Sequence, residues 1–134
     1  ANVLMELIGQ MKSEFLIDES RAHIMGQSLG GIGVWAIIAK RPDTLAAGIP
    51  VCGVGNTERI INARDVALWA FHGAMDTTIP VAGSREMVTS LEAAKGNIRY
   101  TEYPDVGHNS WERAFADPRL PQWLFSNIRG QSRK

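Results

Sequence analysis

A serine stands between two glycines at residues 26–30, where the chain reads Gly-Gln-Ser-Leu-Gly. The apolar run just before this segment is typical of a buried strand, and the run just after it has the length of a helix. A strand-to-helix turn this tight holds its central residue in strained backbone geometry, and the pattern is that of a nucleophile elbow. It predicts that Ser28 presents its hydroxyl above the sheet, where it can attack a carbonyl carbon.

This interpretation explains on steric grounds why residues 26 and 30 are glycines. Side chains two residues before and two residues after the serine are expected to collide across the turn, and glycine removes both collisions. Because the turn opens a helix, the backbone N–H of Leu29 is expected to point toward a developing oxyanion, helped by the positive end of the helix.

A serine hydroxyl is a weak nucleophile near neutral pH, so it needs a general base that is itself oriented by a carboxylate. Asp76 follows the apolar run at 66–71, and His108 follows the run at 98–103. Open parallel sheets place their chemistry beyond the carboxyl ends of the strands, where all three residues are expected to lie. Their chain order, Ser, Asp, His, is the one this elbow requires.

Other candidates for these roles fit their positions less well. His23 lies within the nucleophile strand, and His72 lies four residues before Asp76, where we expect it to hold the loop. Asp105 is the alternative orienting acid, although it is close in sequence to His108. No His-Glu-x-x-His or comparable ligand cluster occurs in the sequence, so no metal site and no cofactor are predicted.

Trp111 follows His108 by three residues, so its side chain is expected near the mouth of the site. It and Gln27, the neighbour of the predicted nucleophile, are candidate substrate-binding residues. The remaining tryptophans are expected in the core, as large aromatic residues usually are.

Strand-like and helix-like runs alternate along the chain. This alternation predicts an α/β fold, with a mainly parallel sheet flanked by helices on both faces. The predicted strands cover 22–25, 46–52, 66–71 and 98–103. The predicted helices cover 3–15, 29–40, 84–95, 111–115 and 120–128.

Composition excludes several classes of function. The chain has 134 residues, 45% hydrophobic and 21% charged, which suits a single globular domain spanning 1–134. Fourteen Lys and Arg balance fourteen Asp and Glu, so no nucleic-acid-binding surface is predicted. The longest uncharged apolar run is far shorter than the roughly 18–20 residues of a membrane helix. Cys52 is a single cysteine, and no signal peptide is visible, which leaves the compartment open.

At these residues the sequence resembles the α/β-hydrolase superfamily, over essentially the whole chain. Within it, the chain looks like bacterial carboxylesterases of the phospholipase/carboxylesterase and dienelactone-hydrolase-like group, which includes relatives of the prolyl oligopeptidase catalytic domain. The resemblance implies that Ser28 is the nucleophile, His108 the base and Asp76 the orienting acid. The segments that carry it are Ile17–Arg21, Gly26–Gly31, Ala70–Asp76 and Gly107–Trp111.

The sequence departs from the family's pattern before the elbow. Family members carry several strands there, and a glycine-rich loop, often beginning His-Gly, that donates a second oxyanion N–H. Nothing in residues 1–25 resembles either feature, so we expect the chain to be the C-terminal half of a larger enzyme. The nucleophile strand would then be an exposed apolar edge, through which the chain is expected to self-associate.

The expected function is hydrolysis of a small-molecule carboxylic ester through an acyl-enzyme intermediate. A serine peptidase of the prolyl oligopeptidase type would use the same residues, so the motifs leave these two alternatives open. A catalytically incomplete fragment that serves as a binding partner is the third alternative. A nucleotide-binding domain is rejected, because the segment at 26–31 lacks both Gly-x-Gly-x-x-Gly and a Gly-Lys-Ser/Thr ending.

Overall fold

The computed structural model describes residues 2–131. Four strands form one sheet: β1 (His23–Gln27), β2 (Ala47–Val51), β3 (Ala67–Gly73) and β4 (Ile98–Tyr103). The α-helices are α1 (Asn2–Glu14), α2 (Leu29–Lys40), α3 (Thr57–Ile60), α4 (Val81–Ala93), α5 (Trp111–Phe115) and α6 (Leu120–Ser126). No helix between residues 2 and 131 is long and apolar enough to cross a membrane.

The strands lie side by side in chain order, β1-β2-β3-β4, and every pair is parallel. Each strand therefore returns to the sheet through a crossover connection, and all four carboxyl ends meet at one edge. The register pairs Gln27 with Val51, Val51 with Phe71, and Gly73 with Tyr103. The loops that follow these residues are consequently neighbours in space. The predicted α/β class with a parallel sheet is confirmed.

The core lies on both faces of the sheet because successive strand residues point in opposite directions. On one face, Leu68 and Ala70 of β3 pack with residues of α2, α3 and α4. On the other face, Trp69 and Phe71 pack with residues of α5 and α6. All seven residues of β3 are buried, which explains why its sequence is a continuous apolar run rather than an alternating one.

Several element boundaries differ from the predictions. β1 runs through Gly26 to Gln27, because the glycine still pairs with β2 before the chain turns. α4 begins at Val81 rather than at residue 84, since a glycine in its first turn reads in sequence as a break. The short α3 was not predicted, although its N-cap, Asn56, accepts a hydrogen bond from the Arg59 N–H at 2.8 Å.

Candidate active site

The turn between β1 and α2 holds Ser28 in the left-handed region, with φ at 53°. A Cβ on Gly26 would lie 2.5 Å from the backbone oxygen of Gly30, so only glycine fits at residue 26. A Cβ on Gly30 would meet nothing within 4 Å. The expectation that both glycines prevent a collision is therefore wrong for Gly30, because its own Cβ position faces open space while residue 26 faces the first turn of α2.

The first turn of α2 also lies against the end of β2. A Cβ on Gly53 would lie 2.5 Å from the backbone of Gly31, so the two segments approach as closely as backbones can. Ser28 N–H donates to the carbonyl of Val51 at 2.9 Å, which fixes the turn to the neighbouring strand. Leu29 is the first residue of α2, so its N–H has no carbonyl one turn earlier in the helix.

Ser28, His108 and Asp76 come together in one hydrogen-bonded series. Ser28 Oγ lies 2.9 Å from Nε2 of His108, and Nδ1 of His108 lies 2.8 Å from Oδ2 of Asp76. A carboxylate can only accept, so Nδ1 carries the hydrogen and Nε2 is left free to accept from the serine hydroxyl. The alternative acid, Asp105, is instead paired with Arg113 at the surface.

Asp76 is buried, and its second oxygen is held by the backbone. Oδ1 accepts from the N–H groups of Thr78 and Ile79, both at 2.9 Å. Burial by itself raises the pKa of Asp76, but the hydrogen bonds from His108 and from these two N–H groups outweigh it, so the pKa lies below its ordinary value. Asp76 is therefore a carboxylate at neutral pH, as an orienting acid must be.

Comparison with known proteins shows what this chain is similar to. The model of the prolyl oligopeptidase family matches residues 4–68, a segment that contains the elbow. A thermostable esterase of known structure is 34% identical and superposes on 95% of this chain with a TM-score of 0.93. The chain has the α/β-hydrolase fold.

The chain spans only part of the length of this esterase and of other solved structures that it resembles. It covers 36% of the thermostable esterase, about a third of that protein. Esterase PE8 is 21% identical over 89% of this chain and 59% of its own, with a TM-score of 0.74. An acylaminoacyl peptidase from Pyrococcus horikoshii is 14% identical over 99% of this chain and 28% of its own, with a TM-score of 0.80. These last two show the fold alone. The comparison with curated proteins gave no match.

His72 contacts the hydrolase site from within β3. Its Nε2 lies 3.1 Å from Oδ2 of Asp76 and 2.9 Å from the carbonyl oxygen of Ile79. Its Nδ1 lies 2.7 Å from Oγ of Ser84, on α4. His72 is expected from the sequence only to hold the loop, and in the structure it also shares a carboxylate oxygen of Asp76 with His108.

Cys52 is a second neighbour of the site that the motifs did not single out. Its sulfur, a carboxylate oxygen of Asp76 and a ring nitrogen of His108 all lie within 4.8 Å of one another. Cys52 has a φ of 41°, which places this buried side chain behind the elbow. Burial, and then the charge of Asp76, raises the pKa of the thiol, so it stays protonated and unreactive at neutral pH.

The other residues that the sequence singled out differ in how close they lie to Ser28 and His108. The Trp111 ring meets the His108 ring edge to face, with centroids 5.4 Å apart, so Trp111 lies at the site as expected. Gln27 is exposed at the end of β1. His23 lies within β1, and its Nε2 is 3.0 Å from the carbonyl of Asn127, away from the elbow. Trp35 and Trp69 are buried in the core, and Trp123 packs against Trp69.

Proposed function

We propose that this chain carries the catalytic residues of a serine hydrolase that cleaves carboxylic esters. One observation carries the proposal: Ser28 Oγ, both ring nitrogens of His108 and Oδ2 of Asp76 form a continuous series with separations of 2.9 and 2.8 Å. In this assignment Ser28 is the nucleophile, His108 the general base and Asp76 the orienting acid. No cofactor enters the chemistry.

The proton follows the hydrogen bonds. As Ser28 Oγ attacks the ester carbonyl, its hydrogen passes to Nε2 of His108, and the resulting imidazolium is stabilised by the Asp76 carboxylate. The imidazolium then protonates the departing alcohol, which leaves an acyl group on Ser28. His108 next takes a proton from water, the hydroxide attacks the acyl-enzyme, and Ser28 regains its hydrogen as the acid is released.

The oxyanion of each tetrahedral intermediate needs hydrogen-bond donors. The Leu29 N–H, at the first position of α2, is the donor that we assign within residues 2–131. The positive end of the α2 dipole adds to its effect. Removing one such donor typically costs about 10²- to 10³-fold in turnover, so further donors from elsewhere in a complete enzyme would matter.

Ester cleavage is favoured because the 34% identical relative is an esterase. The match to the prolyl oligopeptidase family supports the alternative, a peptidase that uses the same three residues on an amide. Since the chain spans about a third of that esterase, both activities are proposals for the whole enzyme, and a catalytically incomplete fragment is the remaining alternative. Trp111 and Gln27 are the proposed substrate contacts.

The first experiment is labelling of this chain with a fluorophosphonate, followed by intact-mass analysis. One adduct is expected, because the reagent reports a serine that is activated by a neighbouring histidine. Ser28→Ala should remove the adduct, whereas Ser13→Ala, at an exposed serine of α1, should leave it unchanged. An adduct that persists in Ser28→Ala would refute the assignment, whereas a folded chain that takes no label would favour the catalytically incomplete fragment.

Substrate panels then separate the ester and amide alternatives. Turnover of p-nitrophenyl acetate with no turnover of a proline anilide supports the esterase proposal, and the reverse supports the peptidase. Ser28→Ala is the control for both, with an expected loss of about 10⁶-fold in kcat.

A further inference from the structure

One oxygen of Asp76 faces two imidazole rings. Oδ2 lies 2.8 Å from Nδ1 of His108 and 3.1 Å from Nε2 of His72. Both the His72 and the Asp76 side chains are 0% exposed, so this second contact is shielded from water. The reaction proposed above uses His108 and leaves His72 without a role.

The hydrogen-bond partners of His72 determine which of its nitrogens carries a hydrogen. Nε2 faces Asp76 Oδ2 and the Ile79 carbonyl, and both are acceptors, so Nε2 must be the donor. Ser84 Oγ lies 2.7 Å from Nδ1 and donates its hydrogen to the Gly53 carbonyl at 2.9 Å, so it accepts from Nδ1. The ring is therefore fixed from both sides, with an N–H aimed at Asp76.

The placement of the Asp76 carboxylate does not depend on His72. Its other oxygen, Oδ1, accepts from two backbone N–H groups, and these fix the orientation of the group. What His72 adds is a second donor on Oδ2. Two donors on one oxygen share its electron density, so each hydrogen bond is weaker than it would be alone.

We propose that His72 is a positioning residue that acts through Asp76: its Nε2–H takes part of the hydrogen-bonding capacity of Oδ2 and so limits how strongly the carboxylate favours protonated His108. The proposal rests on the proposed function, in which His108 must be unprotonated to accept from Ser28. With His72 in place, less of the negative charge of Oδ2 is directed at Nδ1 of His108.

Other titratable and charged groups around the site do not replace the hydrogen bond that His72 donates to Asp76. Cys52 approaches from the end of β2 and is a neutral thiol. Glu102 lies opposite His72 in the register of β4, and Arg85 of α4 pairs with it. On α5 the nearest ring is the uncharged Trp111. Asp105 and Arg113, also on this side, form a pair at the surface.

The test is the pH profile of kcat/KM for His72→Leu and His72→Gln on an ester substrate. His72→Leu removes the donor, which leaves more negative charge facing His108, so the acid limb is expected to move to higher pH by about half to one unit. His72→Gln restores an N–H near the position of Nε2 and should return the midpoint toward that of the wild type.

A second measurement is independent of hydrolysis. The low-field NMR resonance of the His108 Nδ1 proton should move further downfield in His72→Leu, because its bond to Oδ2 becomes stronger, and it should return in His72→Gln. An unmoved or upfield resonance, or an acid limb that stays in place or moves to lower pH, overturns the role of His72. A chain that hydrolyses nothing favours the catalytically incomplete fragment instead, and the resonance still decides the question about His72.

Discussion

The nucleophile and the acid–base pair reach the site from two regions that are built differently. Ser28 follows β1, an outer strand near which side chains face solvent: Met25 is 49% exposed and Leu29 is 79% exposed. Asp76 and His108 follow β3 and β4, where the Asp76 and His72 side chains are fully buried and every polar atom of the Asp76 carboxylate is hydrogen-bonded. The part of the site that contains Asp76 and His72 is therefore buried in the core, whereas the part that contains Ser28 lies beside solvent-exposed side chains.

The two outer strands show the same contrast. β4 carries charged and hydrogen-bonded side chains: Arg85 pairs with Glu102, Tyr100 donates to Glu102, and Arg99 lies 3.6 Å over the Trp69 ring. Such groups are the usual protection of a sheet edge against pairing with another chain. Among residues 2–131, β1 has one strand partner and no comparable protection on its free side.

The helix that precedes β1 adds to the open surface. No residue of α1 is buried, and its exposed apolar side chains form a stripe. Contiguous apolar surface of this kind usually marks an interaction site. The exposed apolar residues of α1 and of the segment after it are Val3, Leu4, Leu7, Met11, Phe15, Leu16 and Ile17. β4 thus carries the usual protection of an edge strand, whereas β1 and α1 present apolar side chains to solvent.

The largest effect is expected where the elbow is tightest. Gly26→Ala places a methyl group 2.5 Å from the Gly30 backbone, and we expect it to lower the free energy of unfolding by about 3 kcal/mol. Gly30→Ala is the matched control, since its Cβ has space and alanine favours helix, so it should raise stability by about 0.5 kcal/mol. Urea denaturation of both variants measures this, and equal effects would contradict the steric account of the elbow.

A smaller effect is expected at the free side of β1. We propose that the chain self-associates through this edge, and a lysine in place of Met25 should oppose that contact by charge repulsion. Sedimentation velocity should show association weakened by about tenfold, which is roughly 1.4 kcal/mol. Glu92→Lys, on the exposed face of α4, is the control and should have no effect. A wild-type chain that remains monomeric at high concentration would refute the proposal.

The smallest expected effect is the change in the free energy of unfolding that Asp76 causes as the pH falls. The pKa of Asp76 is lower in the folded chain than its ordinary value of 3.8, so its contribution to stability is complete above 3.8 and is lost as the pH falls through the folded value. The free energy of unfolding of the wild type should therefore drop more steeply below pH 4 than that of Asp76→Asn. One proton limits the difference to about 1.4 kcal/mol per pH unit. Identical slopes for the two proteins would show that Asp76 carries no such linkage.

Much of the fold follows from local pattern. The bounds of α2, β4 and α5 match the predicted ranges, because each is a continuous periodic run with a clear stop: a proline–aspartate turn, a proline, and an alanine–aspartate turn. The one-turn error at the start of α4 has the opposite cause. There, a glycine inside a helix gives the same local signal as a glycine that ends one, and packing decides between them.

The candidate site divides in the same way. The sequence predicted Ser28, Asp76 and His108 as candidate catalytic residues because a serine, a carboxylate and an imidazole follow predicted strands in the order that the elbow requires. Their catalytic roles stay predictions until the labelling experiment is done. Neither Cys52 nor the second contact of His72 gave any signal, because a lone thiol or a histidine at a strand end has the same sequence context whether or not it touches the site.

The sequence by itself determined the order of strands and helices, the parallel sheet and the residue types at the carboxyl ends of the strands, since these depend on hydrophobic period and turn chemistry over a few residues. Only the tertiary structure decided which groups meet at Asp76. His72 and His108 are 36 residues apart in the chain, and their shared oxygen depends on how β3, β4 and α4 pack together. The covered and uncovered sides of the sheet are likewise a property of the packed strands, because a strand's sequence does not state which of its edges will find a partner.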